Sequence, residues 1–168
     1  HGVPRFTMTV QGSLALARLG SPVTLPLQGQ AKQHPSEVVC LDLDRQGIPL
    51  WTLRPPGESW IFEGTPVCDA NFAYQLLRYV DARPQWHVAC YELATGVQRW
   101  LTMIGSSETM GRGQIEEHSH TLLTLAEGRL YFCTNQGTLA AIDAASGSLT
   151  WLTHYPSCKT RNAAHWQR

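Results

Sequence analysis

The chain has 168 residues, with 13 Lys plus Arg balanced by 13 Asp plus Glu, and a formal net charge of zero. That length suffices for one domain with a core of its own, and the balanced charge excludes a broad basic surface for nucleic acid or an anionic membrane. No apolar run approaches the roughly 18 residues of a membrane-crossing helix, so no transmembrane segment is expected. The start at His1-Gly2-Val3-Pro4-Arg5 has neither an initiator Met nor a basic-then-apolar leader, and reads as that of a processed or excised piece.

In chain order the sequence predicts short strands separated by turn residues. The first copy of the pattern has strands at 6–10, 14–19, 38–43 and 50–53, with a tight turn at Gln11-Gly12. The second has strands at 65–68, 72–77, 87–93 and 98–102, with a turn at Asp69-Ala70-Asn71. Residues 70–79 contain reasonable helix formers, but their register with the other copies favours a strand. The third has strands at 121–125, 130–133, 139–142 and 149–152, turned at Glu127-Gly128, Asn135-Gln136-Gly137 and Ser146-Gly147. Gly at such corners supplies the positive φ that tight hairpins require.

The fourth strand of each copy carries a shared signature. Ala141, Asp143, Ser146 and Gly147 precede Trp151; Cys90, Glu92, Thr95 and Gly96 precede Trp100; Cys40, Asp42 and Gly47 precede Trp51 with one extra residue before the Gly. The three Trp stand 49 and 51 residues apart, a period of roughly 50 that points to propellers or arrays. An acid with Ser or Thr before Gly suits a turn through hydrogen bonds to nearby backbone, and a Trp covers a large area between sheets. The predicted fold is therefore all-β, a β-propeller-type arrangement of three four-stranded antiparallel blades. The whole chain, 1–168, is read as one segment: blade 1 at about 1–55, blade 2 at about 62–104, blade 3 at about 117–155 and a tail at 156–168.

These residues resemble the pyrrolo-quinoline-quinone (PQQ) repeat family, whose tryptophan-docking motif is Ala-x-Asp-x-x-Thr-Gly-x-x-x-Trp. The third copy matches with Ser146 in place of Thr; the second has Cys90 for Ala and Glu92 for Asp. The resemblance implies that Trp51, Trp100 and Trp151, with Gly47, Gly96 and Gly147, tie blade to blade. Trp100 and Trp151 are expected to be buried and Trp51 the more exposed. Family propellers have more blades than three, which implies the remainder of a longer propeller as a partner, and an extracytoplasmic parent. WD-repeat propellers are the nearest rival, but no Trp-Asp pair occurs.

Alternating turns of a meander emerge at opposite ends of a blade. The long segments 20–37, 54–64, 79–86 and 104–118 all fall in one class and should share one end, where binding residues collect on a rigid scaffold. Arg54, Trp60, Glu63, Trp86, Arg112 and Glu117 are the candidate interaction face, suited to a protein or a polar small ligand. Glu117, His118 and His120 are candidate metal ligands, but their spacing matches no specific zinc pattern and no metal site is expected. The five Cys show no C-x-x-C spacing; Cys40 and Cys90 share the repeat position of Ala141 and read as small packed residues. No phosphate loop, G-x-G-x-x-G or Gly-x-Ser-x-Gly pattern is present.

The leading functional expectation is a non-catalytic scaffold that presents its loop-rich end, with no cofactor. The family resemblance offers two alternatives: part of a quinoprotein dehydrogenase holding PQQ through calcium, or a sensor ectodomain. Family enzymes often cover the quinone with two adjacent Cys, and this chain has no adjacent Cys pair.

Overall fold

A computed structural model describes residues 8–20, 36–80, 83–106, 123–134 and 138–155. These form three four-stranded antiparallel sheets and no helix among the described residues. Blade 1 comprises β1 (Thr9–Gln11), β2 (Leu14–Leu19), β3 (Glu37–Asp42) and β4 (Ile48–Leu53). Blade 2 comprises β5 (Trp60–Cys68), β6 (Phe72–Tyr79), β7 (Gln85–Glu92) and β8 (Gln98–Ser106). Blade 3 comprises β9 (Leu123–Ala126), β10 (Arg129–Thr134), β11 (Thr138–Asp143) and β12 (Leu149–His154). Strands pair in chain order within each sheet, so the meander read from the turn pattern is the observed topology. The helix formers between Phe72 and Tyr79 are a central strand, paired on both sides by β5 and β7.

The corner before each fourth strand is built alike. Gly47, Gly96 and Gly147 have φ of 77°, 73° and 73°, and each amide donates to the carbonyl of the motif acid: Asp42 at 2.7 Å, Glu92 at 2.8 Å and Asp143 at 2.9 Å. In blade 3 the Asp143 carboxylate accepts from Ser146 N at 2.8 Å and Ser146 Oγ at 2.7 Å. In blade 2 Thr95 Oγ1 donates to Glu92 at 2.9 Å. The extra residue of the first copy is absorbed by Gln46, which joins Gly47 in the left-handed region at φ 60°.

Beyond each corner comes a β-bulge that the motif spacing does not announce. Cys40 faces Trp51 and Leu41 faces Pro49, leaving Leu50 as the extra residue; Arg99 and Thr150 take that place in blades 2 and 3. Side chains alternate faces along a strand, so an unbulged β4 would set Trp51 opposite Val39 on the other face. The bulge instead puts each Trp in a cross-strand row over a small residue: Leu16, Cys40, Trp51; Tyr74, Cys90, Trp100; Tyr131, Ala141, Trp151. The middle member is small because both flanking side chains lean over it. The Tyr74 and Trp100 rings stand 6.0 Å apart, those of Tyr131 and Trp151 6.3 Å.

The core lies between blades. Leu16, Val38 and Cys40 of blade 1 pack on Phe62, Ala73, Leu77, Ala89, Tyr91 and Leu93 of blade 2. The opposite face of blade 2, through Tyr74, Leu76, Trp86, Val88 and Cys90, packs on Leu123, Leu130, Phe132, Ala140 and Ile142 of blade 3. Blade 2 is thus apolar on both faces, with β6 and β7 almost wholly buried. Burial raises the Cys40 and Cys90 thiols to about 11, and the neighbouring Cys68 and Asp42 add to the rise at Cys40. They pack as small apolar residues.

Strand limits depart from the sequence expectation at two places. β5 starts at Trp60, ahead of the expected start at 65, because an irregularity between Glu63 and Val67 lets pairing with β6 continue on both sides of Gly64. β8 runs on to Ser106, paired with Gln85 at the far end of β7. Most of the segments 20–37 and 104–118, the turn at 135–137 and the tail at 156–168 lie outside the described residues.

Candidate functional site

The Trp and Gly residues of the repeat meet across the blade seams in one direction. A Cβ on Gly96 would lie 3.0 Å from Cγ and Cδ2 of Trp51, and one on Gly147 would lie 2.6 Å from Cδ2 of Trp100 and 2.8 Å from its Cε3. Trp51 and Trp100 therefore each lie against the corner glycine of the following blade. Trp51 Nε1 also donates to the Leu93 carbonyl at 2.9 Å, and Thr102 Oγ1 to the Gly147 carbonyl at 2.7 Å. Trp100 Nε1 is buried and meets no acceptor. This direction reverses the expected order of Trp51 and Trp151: Trp51 is half-buried, as is Trp100, expected to be buried, whereas Trp151 is 41 % exposed with no following corner among the described residues. Gly47, expected to dock, has nothing within 4 Å of the Cβ position.

At the end of the blades where β2–β3, β4–β5 and β6–β7 connect, a second group of side chains gathers. Trp60 opens β5, and its ring stands 5.1 Å from Tyr79 at the end of β6 and 4.8 Å, edge-on, from His87 in β7. Register explains the grouping. Trp60 faces Tyr79, Phe62 faces Leu77, and Leu77 faces His87, so all these residues share the face of blade 2 that meets blade 1. Burial holds the His87 pKa below its ordinary value, with a weaker opposing pull from the Gln85 backbone, and its buried Nδ1 meets no hydrogen-bond partner. Backbone bonds pin the edges of the group: Trp60 N donates to Gly57 O at 3.0 Å and Val80 N to Ser59 O at 2.7 Å. Ser36 Oγ accepts from Phe62 N at 2.9 Å and ties the start of β3 to β5.

Of the expected face, the structure brings together less than the sequence suggested. Arg54 is exposed at this end and pairs with Glu37 at 2.8 Å. Trp60 is at this end, but within a strand. Trp86 faces Arg78, one position out of step with the Trp60–Tyr79–Gln85 row, so it lies on the opposite face of blade 2 and is buried against blade 3. Glu63 also belongs to β5, and its carboxylate lies 2.6 Å from Arg78 Nε, without the alignment of a hydrogen bond. Near them Arg18 of blade 1 donates to the Phe62 carbonyl at 2.5 Å, and burial lowers its pKa against the opposing Glu63. Arg112, Glu117, His118 and His120 lie outside the described residues. Sequence reasoning missed Tyr79 and His87. The one available signal was an imidazole inside the otherwise apolar run of β7.

No family model and no curated protein matches the sequence. Solved structures do. BamB from Moraxella catarrhalis aligns over 88 % of this chain at 17 % identity with a TM-score of 0.50. A europium-containing methanol dehydrogenase aligns over the same share at 12 % and 0.57, and the quinohemoprotein alcohol dehydrogenase from Comamonas testosteroni at 16 % and 0.52. The fold is that of a PQQ-like β-propeller. It is an open run of three blades, spanning 39 %, 31 % and 20 % of those three chains.

Two of these propellers are dehydrogenases, so the fit of a quinone with calcium bears on the site. The described residues gather no cluster of metal-ligating carboxylates, thiols or imidazoles. No three His, Cys, Asp or Glu side chains among them converge, and Cys40 and Cys90 are committed to the blade seams. Also among the described residues, no helix is long and apolar enough to cross a membrane.

Proposed function

We propose that this propeller segment is a non-catalytic scaffold whose loop-bearing end binds a protein partner. The observation that carries the reading is the Trp60–Tyr79–His87 group at that end, beside the exposed Arg54–Glu37 pair. Half-buried aromatic rings next to charged groups are the composition of energetic centres in protein interfaces, and the rigid three-sheet body fixes their spacing.

The test is a footprint. A photo-cross-linking residue is placed at exposed Glu58 or Arg83, and in parallel at Gly12 or Thr95 on the tight-turn end, and one partner is sought in cell extract. Cross-linking to that partner from the first pair and its loss in Trp60→Ala and Arg54→Glu are expected. The Arg54 change leaves folding nearly intact, because an exposed ion pair contributes about 0–1 kcal/mol. A footprint centred on Gln11-Gly12, Gly96 and Gly147 refutes the reading.

A further inference from the structure

The β7–β8 pair carries a second bulge, at Ile104, besides the one at Arg99. Trp86 faces Gly105, yet His87 faces Met103, so Ile104 is the extra residue. Unbulged pairing would set Ile104 opposite His87. Instead Ile104 is buried toward blade 3, and Met103 comes directly across the sheet from the imidazole. Side chains facing each other in this way have Cβ atoms about 4.5–5.5 Å apart, within mutual reach. His87 is 9 % exposed, and its buried Nδ1 has no hydrogen-bond partner, which in a native fold is a sign of a missing ligand or a stored strain. Met103 is 49 % exposed, and the Trp60 ring stands 4.8 Å from the imidazole on the same face. Around His87 on that face, Leu77 and Met103 across the sheet and Gln85 and Ala89 along β7 offer neither carboxylate nor thiol.

We propose that His87 Nδ1 and Met103 Sδ bind a soft monovalent cation of the copper(I) type beside the Trp60 ring. The donor set decides the class of ion. A thioether is soft and selects copper(I) among the common metals, whereas zinc sites take four ligands and calcium six to eight oxygens, neither of which this face supplies. The ring of Trp60 adds to the same preference, because a cation within about 6 Å of an indole centroid is attracted by its face. Burial holds the imidazole neutral, so a nitrogen lone pair is available without displacing a proton. The half-exposed Met103 side chain, unbranched and free to change rotamer, gives the ion a way in from solvent. The site needs no second protein, so it stands or falls separately from the partner reading.

The probe is silver(I), a redox-inert analogue of copper(I), titrated in neutral chloride-free buffer into the full chain after its accessible thiols are capped with iodoacetamide. Circular dichroism checks that the capped chain is folded. The chain has three Met, so their methyl signals in a carbon–proton correlation spectrum report binding residue by residue, and Met103→Leu assigns its own. The Met103 methyl signal is expected to move ahead of those of Met8 and Met110, together with a quenching of Trp fluorescence that Trp60→Phe removes. Met103→Leu, at an exposed position, should fold as the wild type does and bind at least about tenfold more weakly, since losing a ligand costs no less than losing one of its supporting partners. His87→Asn should weaken binding likewise, and the wild-type signals decide the matter if that variant fails to fold. A Met103 methyl signal that stays in place overturns the proposal. So does a Met103→Leu chain that binds silver as tightly as the wild type.

Discussion

Replacing Gly147 by Ala probes the seam between blades 2 and 3 more directly than removing the Trp does. Two penalties combine at this position. Its φ of 73° places any L-residue in the left-handed region, at about 1–2 kcal/mol. The new methyl would also lie 2.6 Å and 2.8 Å from Trp100 ring atoms and 2.9 Å from Thr102 Oγ1, so the ring must shift; overpacking of this kind costs about 1–3 kcal/mol. The sum is about 2–5 kcal/mol, a large part of the 5–15 kcal/mol typical of a folded domain. Gly47→Ala is the control. At φ 77° with nothing within 4 Å it carries the first penalty without the second, about 1–2 kcal/mol. Gly96→Ala, whose Cβ would approach Trp51 to 3.0 Å, should fall between them. Urea unfolding of all three variants beside the wild type measures the loss. The slopes should be unchanged and the midpoints ordered Gly47, Gly96, Gly147 from least to most displaced. Equal losses at Gly47 and Gly147 would show that backbone conformation accounts for everything and that the Trp–Gly contact does not matter.

Trp100→Ala removes a half-buried ring packed on the core and should lose up to about 3–5 kcal/mol, whereas the more exposed Trp151→Ala should lose far less; comparable losses by urea unfolding would contradict the direction of docking. His87 is held neutral by burial. Its folded pKa lies below the unfolded 6.5, so the unfolded chain binds the extra proton, and the stability from His87 is complete above 6.5 and falls as pH drops below it. The wild-type minus His87→Asn difference in urea midpoint should therefore shrink below pH 6.5, and a difference that grows there would reverse the assignment. Peptide mapping after a thiol reagent should find exposed Cys133 modified in the native protein and Cys40 and Cys90 only on unfolding, since they are buried with thiols raised to about 11; early modification of Cys90 in native protein would place it outside the seam. Asp143 is held below its ordinary pKa chiefly by the Ser146 hydrogen bonds, so the stability it contributes is present above about 3.8 and lost as pH falls further; Ser146→Ala should flatten that acid limb.

The corners and the repeat were legible in the sequence because their physics is local. Asp143, Ser146 and Gly147 are close neighbours along the chain, and a turn built from them folds in much the same way whatever surrounds it. Their recurrence with Trp51, Trp100 and Trp151 carried the three-blade, all-β architecture. The candidate site was legible only in part. Trp60 and Arg54 lie at the expected end, but Trp86 is one register step away from the Trp60 row, and one step moves a side chain through the sheet. That step is fixed by how β6 and β7 pair across residues 80–84, which no local residue pattern states. The bulges at Leu50, Arg99 and Thr150 are hidden for the same reason, since a bulge exists only relative to the partner strand. Only the tertiary structure decided that Trp51 and Trp100 reach forward to the next corner. Sequence marks a Trp and a glycine in every blade, but which glycine a ring covers depends on how neighbouring sheets face each other. That facing leaves Gly47 and Leu43 open at one end of the blades and Trp151 open at the other.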